Sequence, residues 1–197
     1  MESFASRSEI PIARPELARL LEALAASRPA GRLLEVGTAI GYGTLALARG
    51  AREGHVVTVD RDPARLALAR DFLARAGVLN RVEILEGEAL STLQSVPGPF
   101  DLVYLDGDKK EYRRTLDLLL PKLVVGGFVV VDNLLWSGAI ADPDLRRDDD
   151  REALEIERFN PYLTIHPQLA SVLLPLGDGI GLAVKRKPTI RELGGPF

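Results

Sequence analysis

Residues 32–60 read RLLEVGTAIGYGTLALARGAREGHVVTVD, and this stretch decides the fold. An apolar run at 32–36 ends at Gly37, a glycine-punctuated turn follows, and residues 44–49 open a helix. Residues 55–59 (HVVTV) are strongly β and are stopped by Asp60. Both strands are apolar on both faces, the mark of parallel strands covered by helices on either side.

The same alternation continues outward. Upstream, residues 15–26 (PELARLLEALAA) have apolar residues at helical spacing with proline at the start. Downstream, 63–76 form a helix with Pro63 at its first position and Gly77 just past its end. Strands are expected at 82–85, 101–105 and 124–131, with a short helix around 89–95 and a longer one at 111–122. The end of the chain differs. Residues 169–174 (LASVLL), the connection PLGDG and residues 180–185 (IGLAVK) read as a hairpin. The expectation is an α/β fold of seven strands, mostly parallel, closed by an antiparallel hairpin at the C-terminal edge. Residues 136–151 (WSGAIADPDLRRDDDR) are polar and charged, a loop running into a helix, with the RRDDDR run a solvated, self-paired face.

Composition narrows the function classes. At 197 residues, with 46% hydrophobic and 27% charged, the chain has the balance of one folded domain spanning 1–197. A net charge of −3 gives no chain-wide positive field for a phosphate backbone, which argues against nucleic acid as the main partner. There is no cysteine, so disulfides, thiolate nucleophiles and zinc–thiolate sites are excluded. No apolar run approaches the ~20 residues of a membrane span, and the first residues lack a signal-peptide core. A cytoplasmic protein is expected. His55 and His166 lie far apart in sequence, and Ser91 and Ser137 have no base partner, so neither a triad nor a zinc cluster is supported.

In an open parallel sheet, ligands bind outside the carboxyl ends of the strands. Those ends carry Glu35 and Gly37, Asp60, Gly87 to Ala89, Asp106 to Lys109, and Asp132 with Asn133. Four of these five strand ends carry an acid facing one crevice. In the first turn Gly37, Gly41 and Gly43 are spaced four and then two apart, whereas the dinucleotide fingerprint is spaced two and then three. Glu35 can accept from a cationic amine and Asp60 suits a ribose diol. An amine plus a ribose without phosphates describes S-adenosylmethionine better than NAD. Turn glycines and a helix-capping aspartate are the bland alternatives. The set Asp106, Asp132 and Asn133, all oxygen donors, matches a hard divalent cation such as Mg²⁺, with Mn²⁺ or Ca²⁺ as substitutes. Lys109, three residues after Asp106, reaches the same point and could take a proton there as general base. Caps and solvated helix starts are the alternatives for these residues.

The runs LLEVGTAIGYGTLALA, VVTVD, DLVYLDGDKKEY and GFVVVDNLLWSG resemble the metal-dependent O-methyltransferases of the catechol and caffeoyl-coenzyme A type. The likeness extends from about Pro15 to Lys185. It implies a Rossmann-like class I methyltransferase fold with S-adenosylmethionine as donor and a small catechol-like aromatic hydroxyl compound as acceptor. It implies Asp106, Asp132 and Asn133 as metal ligands, with Asp106 also on the cofactor side, and Lys109 as the base. Asp60 would hold the ribose, Glu35, Gly37, Gly41 and Gly43 the methionine part, and the Ala89 backbone the adenine. Gly43 stands where relatives often carry a hydroxyl residue, a role Thr44 would take over. Tyr112 and Trp136 either wall the acceptor pocket or pack their own loop. The arm before Pro15 is short, and a homodimer is the family precedent. The competing functions are an RNA or protein methyltransferase, a non-catalytic cofactor-binding module, and a NAD-dependent oxidoreductase.

Overall fold

The computed structural model describes residues 1–145 and 150–187. Seven strands form one sheet: β1 (Arg32–Val36), β2 (His55–Asp60), β3 (Val82–Glu86), β4 (Phe100–Leu105), β5 (Leu123–Val131), β6 (Leu169–Leu174) and β7 (Ile180–Lys185). Their order is β3-β2-β1-β4-β5-β7-β6. The first five pair in parallel, while β7 is antiparallel to both β5 and β6. The hairpin expected at the end of the chain is therefore present. Its second strand is inserted next to β5, leaving β6 at the edge.

The helices are α1 (Glu2–Arg7), α2 (Pro15–Ala26), α3 (Tyr42–Gly50), α4 (Pro63–Arg75), α5 (Ala89–Ser95), α6 (Tyr112–Leu119) and α7 (Arg151–Thr164). Strand residues alternate between two apolar layers. Leu33, Leu102, Tyr104 and Val130 pack towards α2, α3 and α4, whereas Leu34, Val103, Val129 and Val131 pack towards α5, α6 and α7. Burial on both faces explains why the strands read as unbroken apolar runs.

Local chemistry sets the helix starts. Asp62 accepts from the N–H groups of Ala64 and Arg65 ahead of α4, with Pro63 at the first position. α3 begins two residues earlier than expected because Gly41, at φ +83°, supplies the left-handed turn into it. The helix expected at 111–122 is divided: Lys109–Glu111 and Leu120–Lys122 are 3₁₀ turns flanking α6. The arm contains α1, six residues with no sequence signal of their own, held by an edge-on contact of Phe4 with Phe72 at 5.5 Å. Residues 136–145 contain two 3₁₀ turns rather than a plain loop. Most of the RRDDDR run, residues 146–149, lies outside the described residues.

Candidate active site

The strand order reverses between β1 and β4, and the ladder carries one hydrogen bond past each strand end. Gly87 N–H donates to the Asp60 carbonyl at 2.9 Å, Gly37 to Val59 at 2.9 Å, Asp106 to Val36 at 2.8 Å and Asp132 to Leu105 at 3.0 Å. These bonds hold the strand-end residues singled out by the sequence at one level. A cleft of about 390 Å³ opens there, lined by Gly37, Asp60, Gly87, Ala89, Asp106 and Lys109 among others. That is within the size range of small-molecule sites, at the switch point where open α/β sheets bind them.

Asp60 accepts from Ala39 N–H at 2.8 Å through Oδ2 and from Asp62 N–H at 3.0 Å through Oδ1. A carboxylate offers about four lone-pair positions, so capacity remains for a diol. Gly37 has φ +99°, and a Cβ there would lie 2.2 Å from the Asp106 carbonyl oxygen. No side chain fits, so the first turn lies against the fourth strand's end. Sequence reasoning missed Pro11, Arg61, Arg65 and Glu152 on the same cleft. Arg61 and Glu88 form an exposed ion pair at 3.7 Å, and Pro11 shows that the short arm reaches the opening.

Three expected cofactor residues are placed elsewhere. Glu35, Gly41 and Gly43 do not line the cleft. The Glu35 side chain lies beneath α3, fully buried, where it accepts from the Thr44 hydroxyl and, at 2.7 Å, from the Thr58 hydroxyl. Desolvation pushes its pKa up to about 8, with the two threonine bonds opposing the rise and the charges of Asp106 and Asp60 adding to it. Gly43 is bare because a Cβ would sit 2.3 Å from Glu35 Oε1, and Thr44 is engaged with Glu35 rather than compensating at the cleft. Gly41 turns the chain and faces Ala69 and Leu73.

Asp106 and Asp132 do come together. Leu105 and Val131 are register partners, so the next residue of each strand projects from adjacent ends. The hydroxyl of Tyr104 lies 3.3 Å from Asp106 Oδ2 and 3.4 Å from Asp132 Oδ2, two long contacts from one group. Burial and, for Asp132, the charge of Asp106 raise the pKa of both carboxyls above the ordinary value, while Lys109 pulls both back. Lys109 Nζ donates to Asp106 Oδ1 at 3.1 Å and to the Tyr112 hydroxyl at 2.8 Å, with its side chain only 9% exposed. Tyr112 in turn donates to the Asp132 carbonyl at 3.1 Å. One ammonium thus faces two crowded carboxylates, a balance that further positive charge would relieve.

Asn133 is the third oxygen donor expected from the sequence. Its Nδ2 donates to Asp178 Oδ2 at 3.2 Å, which turns the amide so that Oδ1 is the opposite end. Two carboxylates and an amide oxygen fit a hard divalent cation. No group of three or more His, Cys, Asp or Glu that could hold a metal ion is found among the described residues. Tyr112 is buried against Phe159 at 5.4 Å and does not line the cleft of about 390 Å³, while Trp136 donates through Nε1 to Asp150 at 2.7 Å. Tyr104 was missed by sequence reasoning, although two-residue spacing puts residues 104 and 106 on one side of the strand. Among the described residues no helix is long and apolar enough to cross a membrane.

The chain and its fold are similar to those of known proteins. The family model described as O-methyltransferase matches residues 5–186. The chain is 39% identical over 170 residues to a catechol O-methyltransferase of Mycobacterium tuberculosis, covering 83% of this chain and 76% of that one. The structure of the O-methyltransferase TomG from Streptomyces achromogenes in complex with SAM gives a TM-score of 0.82 at 30% identity, covering 93% of this chain and 86% of TomG. An O-methyltransferase from Bacillus cereus in complex with SAH gives 0.83 at 27% identity, covering 94% and 88%.

Proposed function

The chain belongs to the O-methyltransferase family, with S-adenosylmethionine as methyl donor, and from that premise we propose that its acceptor is a small catechol-like aromatic compound methylated with the help of a divalent cation. The observation that carries the proposal is the meeting of Asp106, Lys109 and Asp132 beside the cleft that Asp60 borders. The name of the Mycobacterium tuberculosis relative supports a catechol as acceptor.

In this proposal Asp60 takes the ribose hydroxyls, Gly37 lets the donor approach the backbone, and Ala89 borders the adenine. Asp106, Asp132 and Asn133 would hold the cation, which supplies a lowered hydroxyl pKa and a fixed direction for the acceptor oxygen. Lys109, after giving one proton to solvent, takes the hydroxyl proton on Nζ as the neutral amine, held in place by Asp106 and Tyr112. The oxygen attacks the methyl carbon opposite the sulfur and the sulfonium leaves as neutral S-adenosylhomocysteine. Charge is neutralised as the bond forms, so alignment and a dry site supply much of the rate. A homodimer belongs to the same proposal, and sedimentation would read it as twice 21.4 kDa.

The test is a methylation screen over catechols, flavonoids and caffeoyl esters, with Mg²⁺ and with excess chelator. The expected result is methylation of vicinal diols in Mg²⁺ that the chelator abolishes. Full activity in chelator would contradict the metal role.

A further inference from the structure

The turn between β6 and β7 reaches back 45 residues to the loop after β5 and grips it at four points. Asp178 Oδ2 accepts from Asn133 Nδ2 at 3.2 Å, and Asp178 Oδ1 accepts from Ser137 N–H. Leu135 N–H donates to the Asp178 carbonyl at 2.9 Å and Leu134 N–H to the Gly179 carbonyl at 2.9 Å. The two segments are pressed together so closely that a Cβ on Gly179 would lie 2.5 Å from the Leu135 nitrogen.

The gripped loop is a strained one. Asn133, Trp136 and Ser137 have φ of +63°, +47° and +52°, three non-glycine residues in the left-handed region within five positions. Such conformations are costly for non-glycine residues and persist only where the surroundings over-determine them. Two of the three are tied directly to the Asp178 carboxylate, and the carbonyl of Asp178 holds the residue before Trp136.

We infer that Asp178 is a positioning residue that selects the orientation of the Asn133 amide. The two ends of an amide are nearly the same shape, so packing alone does not choose between them. A carboxylate does, because it accepts and cannot donate when ionised. With Nδ2 bound to Asp178, Oδ1 is the end left for a cation beside Asp106 and Asp132. Reversed, the same side chain would offer N–H donors, which no cation takes. Partners behind a ligand that fix its orientation typically contribute 10- to 100-fold in metal affinity. The inference rests on the divalent-cation reading of the site.

The experiment measures Mn²⁺ affinity by calorimetry on the full chain saturated with S-adenosylhomocysteine, for wild type, Asp178→Ala, Asp178→Asn, Asn133→Ala and the double variant Asp178→Ala with Asn133→Ala. Asp178→Ala is expected to weaken Mn²⁺ by about 10- to 100-fold. Asp178→Asn keeps the size and an acceptor for the turn but can also donate, so it lets the amide reverse and loses affinity too. In the Asn133→Ala background, removal of Asp178 should change Mn²⁺ affinity less than about twofold, because the two residues act as one unit. A loss of negative charge or a loosened loop would instead give the same factor in both backgrounds, and that result overturns the inference. Wild-type affinity in Asp178→Ala or Asp178→Asn overturns it as well. Failure of the wild type to bind Mn²⁺ would refute the cation reading itself and this inference with it. Unchanged S-adenosylhomocysteine affinity across the series is the expected sign that the cleft is intact.

Discussion

Replacing Glu35 by glutamine should remove a steep pH dependence of stability. The Glu35 carboxyl is fully buried, and its pKa of about 8 in the folded protein compares with 4.5 for the free group. Between those values the folded chain keeps a proton that the unfolded chain has released. The contribution of Glu35 to stability is therefore greatest below pH 4.5 and falls as pH rises, levelling off above about 8. The slope is about 1.4 kcal/mol per pH unit, and the interval from 4.5 to about 8 makes the whole effect about 5 kcal/mol. Glutamine keeps the shape and an acceptor for Thr44 and Thr58 while having nothing to ionise. Urea denaturation of wild type and Glu35→Gln from pH 5 to 8.5 reads this group together with its coupling to Asp106 and Asp60, since titrating groups that do not interact with it cancel in the difference. The variant should gain on the wild type as pH rises, by a few kcal/mol over the range. Parallel curves would refute the assignment of an uncompensated buried carboxyl.

Other outcomes follow from the same geometry. Lys109→Ala should lower kcat by about 10²- to 10⁴-fold and alter the pH–rate profile, which stopped methylation assays across pH would read. Asp132→Ala should abolish methylation of a catechol while leaving S-adenosylhomocysteine affinity within a few-fold of wild type by calorimetry. Gly37→Ala places a Cβ 2.2 Å from the Asp106 carbonyl oxygen at φ +99°, so thermal melts should show destabilisation of at least about 1–3 kcal/mol, together with weakened donor binding.

The strand ends were legible because each apolar run stops at an acid or a glycine, and an open parallel sheet delivers such ends to one crevice. That placed Asp60, Asp106, Lys109 and Asp132 without knowledge of any contact. The placement of Glu35 away from the cleft could not be read from the sequence, for a physical reason. A strand buried on both faces lacks the alternation that would tell which side a polar residue takes, and here it faces inward beneath α3, close to bare Gly43. Asp178 could not be read at all, since its bond to Asn133 spans 45 residues and exists only once β7 is inserted beside β5. For Tyr112 the sequence left open a wall of the acceptor pocket or packing within its own loop. Its ring is spent instead on packing with Phe159, and its hydroxyl links Lys109 to the Asp132 carbonyl.

The most direct measurement is anomalous diffraction from a crystal grown with Mn²⁺ and S-adenosylhomocysteine. The account predicts one ion about 2.1–2.3 Å from oxygens of Asp106, Asp132 and Asn133, next to the homocysteine sulfur. An anomalous map without a peak at that position, with those three side chains pointing apart, would contradict it.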